Sequence, residues 1–129
     1  VVDPQGRRCV CGARGCLEAQ VSGTAIAEIT GRPAAEADKA VRRWAGRLVG
    51  RAVGSVCNLL DLRLAVLAGS VSIGFGEPFV ESAQQELERV ARLSHCTGAR
   101  IRIGGLGADG PLVGAACVGR RALAGSETM

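Results

Sequence analysis

Tyrosine is missing from this 129-residue chain, and its aromatic side chains are only Trp44, Phe75 and Phe79. The core must then be built from Ala, Val, Leu and Ile, which is the packing style of helix-on-sheet proteins. Lysine is almost missing too: Lys39 stands alone, and the net charge of +4 comes from arginine. No basic run exceeds the pairs Arg7-Arg8, Arg42-Arg43 and Arg120-Arg121. A nucleic-acid footprint is normally a clustered stripe, often with stacking aromatics between the charges, so dispersed arginines read as solvated surface. No apolar run approaches the ~20 residues that cross a bilayer, and no charged-then-apolar leader pattern opens the chain. The expectation is a cytoplasmic protein with no membrane partner.

What is present reads as folded. Hydrophobic residues make up 47% and charged residues 22%, too apolar and too evenly charged for disorder, and the length suits one domain spanning 1–129. Val1 opens the chain without a methionine, and Val1-Val2 read as the end of a strand, so the beginning reads as cut. The polar tail from Ala124 to Met129 reads as a natural end.

Asp3-Pro4-Gln5-Gly6 supplies a turn, in which proline fixes one backbone angle and glycine permits the reversal. A short helix is expected from Ser22 or Thr24 to about Thr30, stopped by Gly31 in the left-handed region. Pro33 should open the next helix. Ala37, Val41, Trp44, Leu48, Ala52, Val56 and Leu60 recur at helical spacing and mark its inner face. On the same helix Gly46, Gly50 and Gly54 fall four apart, predicting a groove where another element approaches the backbone closely. Leu64 to Ala68 reads as a strand buried on both faces, ended by Gly69-Ser70. A loop with Gly74 and Gly76 should lead to a helix from Glu77-Pro78 to about Leu93, with Phe79, Ala83, Leu87, Val90 and Ala91 inward. A strand at 100–103, a glycine-rich turn at 104–110 and a last helix from Pro111 through Leu112, Val118 and Leu123 complete an α/β pattern.

Six cysteines do not make a disulfide scaffold here, because such scaffolds belong to small chains short of core. Cys57, Cys96 and Cys117 sit singly in apolar stretches and read as packing residues. The other three crowd into Cys9-Val10-Cys11-Gly12-Ala13-Arg14-Gly15-Cys16-Leu17-Glu18. Thiols spaced in this way, with two glycines letting the loop fold back, can surround one tetrahedral ion, with a fourth ligand from elsewhere. Reduced surface thiols or a local disulfide are the alternatives. His95, the sole histidine, lies between a helix end and a strand, where a basic residue favours the helix C-terminus, and it is given no role.

The cysteine segment resembles the zinc loop of the ROK family (repressors, open reading frames, kinases), whose motif is C-x-C-G-x-x-G-C-x-E. Cys9, Cys11, Gly12, Gly15, Cys16 and Glu18 match it position by position. The family's histidine ligand, in an E-x-G-H motif ten residues before the first cysteine, would fall two residues upstream of Val1. Asn58-Leu59-Leu60-Asp61 and Leu64 to Gly69 resemble the family's helix and strand leading to a nucleotide-contacting glycine turn, although a glycine pair is replaced here by Ala68-Gly69-Ser70. Leu106 to Ala116 resembles the closing glycine-rich turn and small-residue helix.

The resemblance implies the C-terminal lobe of an actin-like, ribonuclease-H-like ATPase fold, with 1–21 forming a strand end and an inserted cysteine zinc loop and with the N-terminal lobe absent. It implies zinc on Cys9, Cys11 and Cys16, a sugar hydroxyl on Glu18, and the nucleotide near Gly69 and Ser70. The implied parent is a kinase moving phosphate from ATP, with Mg, to a hexose such as glucose, and the complete protein is expected to be a homo-oligomer. The alternative parent is a ROK repressor, in which case DNA is a partner. In ROK kinases the catalytic aspartate and the D-x-G-G-T phosphate loop lie in the N-terminal part, so no catalytic residue is assigned to this chain and the fragment alone is expected to be inactive.

Overall fold

The computed structural model describes residues 1–126; Glu127, Thr128 and Met129 of the polar tail lie outside the described residues. Its spine is a pair of packed helices, α3 (Lys39–Leu60) and α5 (Glu77–Val90). The Asp38 carboxylate starts α3 by accepting from the Val41 amide at 2.9 Å, and Asp61 ends it in the left-handed region with φ 52°.

The predicted groove is there, and α5 fills it. A Cβ placed on Gly46 or Gly50 would run into the backbone carbonyls of Phe79 and Ala83, and one on Gly54 would lie 2.8 Å from Val90. Each glycine costs about 1 kcal/mol of helix propensity, offset by close contact between the two helices. This contact displaces the inner face from the predicted one. Leu48 is buried as expected, but Val56 is 44% and Leu60 59% exposed, while Ala45, Val49 and Cys57 turn inward beside the glycines. The helix is apolar on two sides, and its partner's position chose between them.

Phe75 and Phe79 meet edge-on at 5.9 Å in a core cluster with Ile26, Ala37, Ala45 and Val49. A second cluster joins Cys57, Ala83, Leu87, Cys96, Ala99 and Ile101. Cys57 and Cys96 are therefore packing residues as predicted; burial, and then the neighbouring Cys96, push the Cys57 thiol up.

The sheet is two parallel strands, β1 (Leu64–Leu67) and β2 (Arg100–Ile103), paired from Leu64–Arg100 to Leu67–Ile103. Gln84 of α5 pins β2 by accepting from the Ile101 amide at 2.9 Å and donating to the Ala99 carbonyl at 3.1 Å. β1 is not covered on both faces: Leu64 and Val66 are 56% and 59% exposed.

Smaller elements correct several expectations. Ser22, not Thr24, caps the first well-formed helix, α2 (Gly23–Thr30), and Gly31 ends it at φ 69°. Pro33 opens only a 3-10 turn, Ala34–Glu36, because α3 waits for its Asp38 cap. Preceding α2 is the five-residue α1 (Leu17–Val21). Instead of a loop after β1, α4 (Ser70–Phe75) forms at once and carries Phe75 into the core, with left-handed Gly76 separating it from α5. The last helix, α6 (Gly110–Ser126), begins one residue before Pro111. Its Leu112, Val118 and Leu123 are exposed, and so is Cys117, which is therefore not a packing residue. Among the described residues, α6 makes its main contacts with the adjoining 3-10 turn Gly107–Asp109. No helix among the described residues is long and apolar enough to cross a membrane.

Candidate functional site

The cysteine loop is a small hairpin closed by backbone hydrogen bonds. The Cys9 amide donates to Ala13 O at 2.8 Å, Gly12 N–H returns to Cys9 O at 3.0 Å, and Arg8 bridges Arg14 in antiparallel fashion. Gly12 sits at φ 89° and Gly15 at φ 71°, which a side chain would strain. Gly15 has a second reason to be glycine, since a Cβ there would strike the Asp3 carbonyl.

The predicted strand end at Val1-Val2 is no strand. Val2 is buried, and the Val2 and Asp3 amides both donate to Gly15 O, at 2.8 and 3.2 Å. The turn at Asp3 to Gly6 forms as expected, with Gly6 N–H on Asp3 O at 2.8 Å. Gly6 is needed for room rather than for a left-handed angle: the buried Gln20 side chain occupies the place of its Cβ.

This folding brings together the three predicted thiols. The sulfurs of Cys9, Cys11 and Cys16 all lie within 4.8 Å of one another, and Cys11 Sγ is 3.5 Å from Cys16 Sγ. Thiolates bound tetrahedrally to zinc at ~2.3 Å stand about 3.8 Å apart, so a modest contraction would let this trio grip such an ion. The trio supplies three of the four donors of a closed thiolate site, and among the described residues it is the one cluster of this kind, without His95. The Ala13 amide, and then the thiols of Cys9 and Cys16, draw the Cys11 pKa down. Cys16 is pushed up to about 11, because its proton is shared first with Cys11 and then with Cys9. Within the trio, then, Cys11 gives up its proton more readily than Cys16.

Cys16 is the residue before α1, and Glu18 stands exposed in the first turn of that helix. Glu18 lines a cleft of about 560 Å³ together with Leu17, Val49, Leu67, Gly69 and Ser70. The fold thus sets the predicted sugar-contacting carboxylate and the predicted nucleotide-contacting turn on one cavity, though 51 positions separate Glu18 from Gly69. Gly69 holds φ 101°, and a Cβ built on it would meet nothing within 4 Å, so the backbone is open to a ligand at this point. Glu18 also borders a smaller hollow of about 260 Å³ with Arg8, Cys9 and Thr24, so it stands at the edge of both cavities.

Sequence reasoning missed the floor of the cleft and the supports of the loop. Val49 and Phe79 line the cavity, yet the periodicity marks Phe79 only as core and leaves Val49 off the predicted inner face. Arg51 donates to Val2 O at 2.7 Å and to the buried Glu86 at 3.1 Å, a contact across 35 residues that no local pattern announces. Asn58, part of the stretch resembling the family, serves the fold by donating to Val90 O at 3.0 Å.

Comparison with known proteins agrees with this arrangement. The ROK family model matches residues 1–122. N-acetylmannosamine kinase of Pasteurella multocida (strain Pm70) is 31% identical over 131 aligned residues, covering 90% of this chain and 42% of the relative. The enzyme of the same name from Yersinia pestis (strain Pestoides F) is 36% identical over 107 residues, 70% of this chain and 37% of the relative. Among solved structures, the ROK hexokinase from Thermus thermophilus superposes with a TM-score of 0.67 at 27% identity, over 87% of this chain and 42% of that one. The chain therefore spans about two fifths of the length of these relatives. A family match over nearly all its residues, a cysteine motif met position by position and a shared helix-rich α/β fold lead to one conclusion: this chain belongs to the ROK family.

Proposed function

We propose that this chain is the sugar-contacting and nucleotide-facing part of a ROK sugar kinase. The observation that carries the reading is that Glu18, Gly69 and Ser70 line the same cleft, while Glu18 shares a neighbouring hollow with Cys9 of the thiol trio. The Glu18 carboxylate can accept two hydroxyl hydrogens, and a sugar is selected by whether its hydroxyls reach both oxygens at once. Cys9, Cys11 and Cys16 would hold zinc, which when bound fixes the loop that supports Glu18 and, once a fourth ligand fills its remaining position, takes no direct part in chemistry. At the other side of the cleft, the open backbone of Gly69 and the start of α4 would face the adenosine end of ATP, as ligands in α/β sheets commonly lie at strand ends.

The substrate class is a hexose or N-acyl hexosamine. The curated relatives are named for N-acetylmannosamine, which moves the expectation away from glucose in particular. They are kinases, and no observation favours a repressor parent. Phosphoryl transfer requires a base beside the attacking hydroxyl and donors with Mg²⁺ around the phosphates. The D-x-G-G-T phosphate loop is not in this sequence, so the chain binds and orients without turning substrate over.

Calorimetric titration of the zinc-loaded chain with N-acetylmannosamine and with glucose tests this reading. Binding of either sugar, weakened about tenfold or more by Glu18→Gln through loss of charge-assisted hydrogen bonds, is the expected result. Sugar binding indifferent to Glu18, or phosphorylation of sugar by the 129-residue chain alone, overturns it.

A further inference from the structure

The Glu86 side chain is only 7% exposed, and three hydrogen bonds from two guanidinium groups hold it. Arg89 takes both oxygens, at 2.8 and 2.7 Å, from one turn further along α5. Arg51 reaches Oε1 across from α3 at 3.1 Å and uses its opposite edge on Val2 O at 2.7 Å. Val2 and Asp3 in turn clamp Gly15 O through their amides, and the Gly15 amide is held by Arg7 O at 2.8 Å. The next residue is Cys16, which leads into Glu18. An unbroken path of hydrogen bonds therefore runs from a buried carboxylate on α5 to the base of the cysteine loop.

From this path we infer that Arg51 is a positioning residue: anchored on Glu86, it sets where the cysteine loop stands against the α3–α5 pair. The inference rests on the reading of Cys9, Cys11, Cys16 and Glu18 given above. Other contacts leave this task to Arg51. Leu17 and Val21 seat α1 on the core by apolar contact, and Arg7 ties the loop to α2 through the Ala25 carbonyl at 3.2 Å and the Glu28 carboxylate, but of the residues before Gly15 it is Val2 that is buried and bonded to α3. Apolar contact fixes depth; a hydrogen bond to the Val2 carbonyl fixes register. Arginine suits the place because its planar fork offers donors on two edges, whereas a lysine ammonium is a single point that cannot span carboxylate and carbonyl in the same way. Gly15 transmits the constraint, since the Asp3 carbonyl fills the space a side chain would take.

Arg51 and Arg89 share one carboxylate, but only Arg51 touches the loop base, and this asymmetry supplies the test. Amide hydrogen exchange by NMR and Zn²⁺ affinity by chelator competition would be measured on the full chain carrying Arg51→Met, Arg51→Lys or Arg89→Gln. Arg51→Met should speed exchange at Val2, Asp3 and Gly15 and weaken Zn²⁺ binding, each about tenfold, as losses of supporting hydrogen bonds behind metal ligands do. Arg51→Lys should recover only part of either. Arg89→Gln should lower global stability and leave both readouts unchanged at matched stability. If Arg89→Gln loosens those amides as much as Arg51→Met, or if neither does, Arg51 has no positioning role. Failure of the unaltered chain to take Zn²⁺ overturns the metal reading alone, while the exchange pattern still decides the part played by Arg51.

Discussion

Substituting Gly50 with alanine tests the central contact of the molecule. At an exposed helical position this change stabilises by roughly 0.5–1 kcal/mol, because alanine loses less backbone freedom on folding. At Gly50 the new methyl would press into the Ala83 carbonyl oxygen and lie 2.9 Å from both Ala83 C and Glu86 Cβ. Two of those neighbours are backbone atoms of α5, which can yield only if the whole helix moves. Overpacking of this kind costs about 1–3 kcal/mol after relaxation, and separating α3 from α5 also strains the Arg51–Glu86 contact. Less the propensity gain, the expected net effect is a loss of about 0.5–2 kcal/mol, seen as a fall in melting temperature of roughly 2–8 °C for a chain of this length. Gly46→Ala should match it, since its methyl meets the Phe79 carbonyl, whereas Gly54→Ala should cost less because Val90 opposes it mainly with side chain. Gly119→Ala on α6, where a Cβ meets nothing within 4 Å, is the control and should stabilise or be neutral. Thermal and urea unfolding of the four variants decides the matter; a Gly50→Ala protein as stable as the Gly119→Ala one would refute the close contact between α3 and α5.

Glu86 should make the chain acid-sensitive. Hydrogen bonds from Arg89, and then from Arg51, hold its carboxyl below the usual range despite the opposing effect of burial. A folded-state pKa below the unfolded one, about 4.3, stabilises the fold above that value and ceases to do so as pH falls through the folded pKa. Glu86→Gln should thus cost about 1–3 kcal/mol at pH 7 and flatten the dependence of unfolding free energy on pH below about 4.5. Zinc affinity should rise steeply with pH through neutrality, because protons must leave all the thiols and Cys16 holds its own to about 11 in the free loop; a flat profile in chelator competition would exclude thiolate binding. Cys57→Ser should destabilise by about 1–3 kcal/mol by placing a hydroxyl in a dry core, while Cys117→Ser on exposed α6 should leave the melting temperature unchanged.

The local chemistry of the chain was legible in its residues. Spacing alone announced that Cys9, Cys11 and Cys16 would converge, because two glycines at positive φ leave a ten-residue loop few ways to close. Gly31 as a helix stop, the 100–103 strand and the glycine groove on α3 were equally readable, each depending on contacts within a turn or on a missing Cβ. Where sequence reading went astray, the deciding partner lay far off in the chain. Val56 and Leu60 fit the helical period, but α5 approached from the glycine side and left them outside. Leu64 and Val66 read as buried, yet both stand more than half exposed.

Sequence by itself therefore determined the residue types at the site and their family, since a thiol motif and its glycines specify their own short loop. Only the tertiary structure decided that Glu18 and Gly69 share a cleft, that Val49 and Phe79 line it, and that Arg51 ties Glu86 to the loop base. The physical reason is range. Turn geometry and helix capping act over a few residues and leave their mark in local order, whereas a cleft or an ion pair exists only after two helices have met.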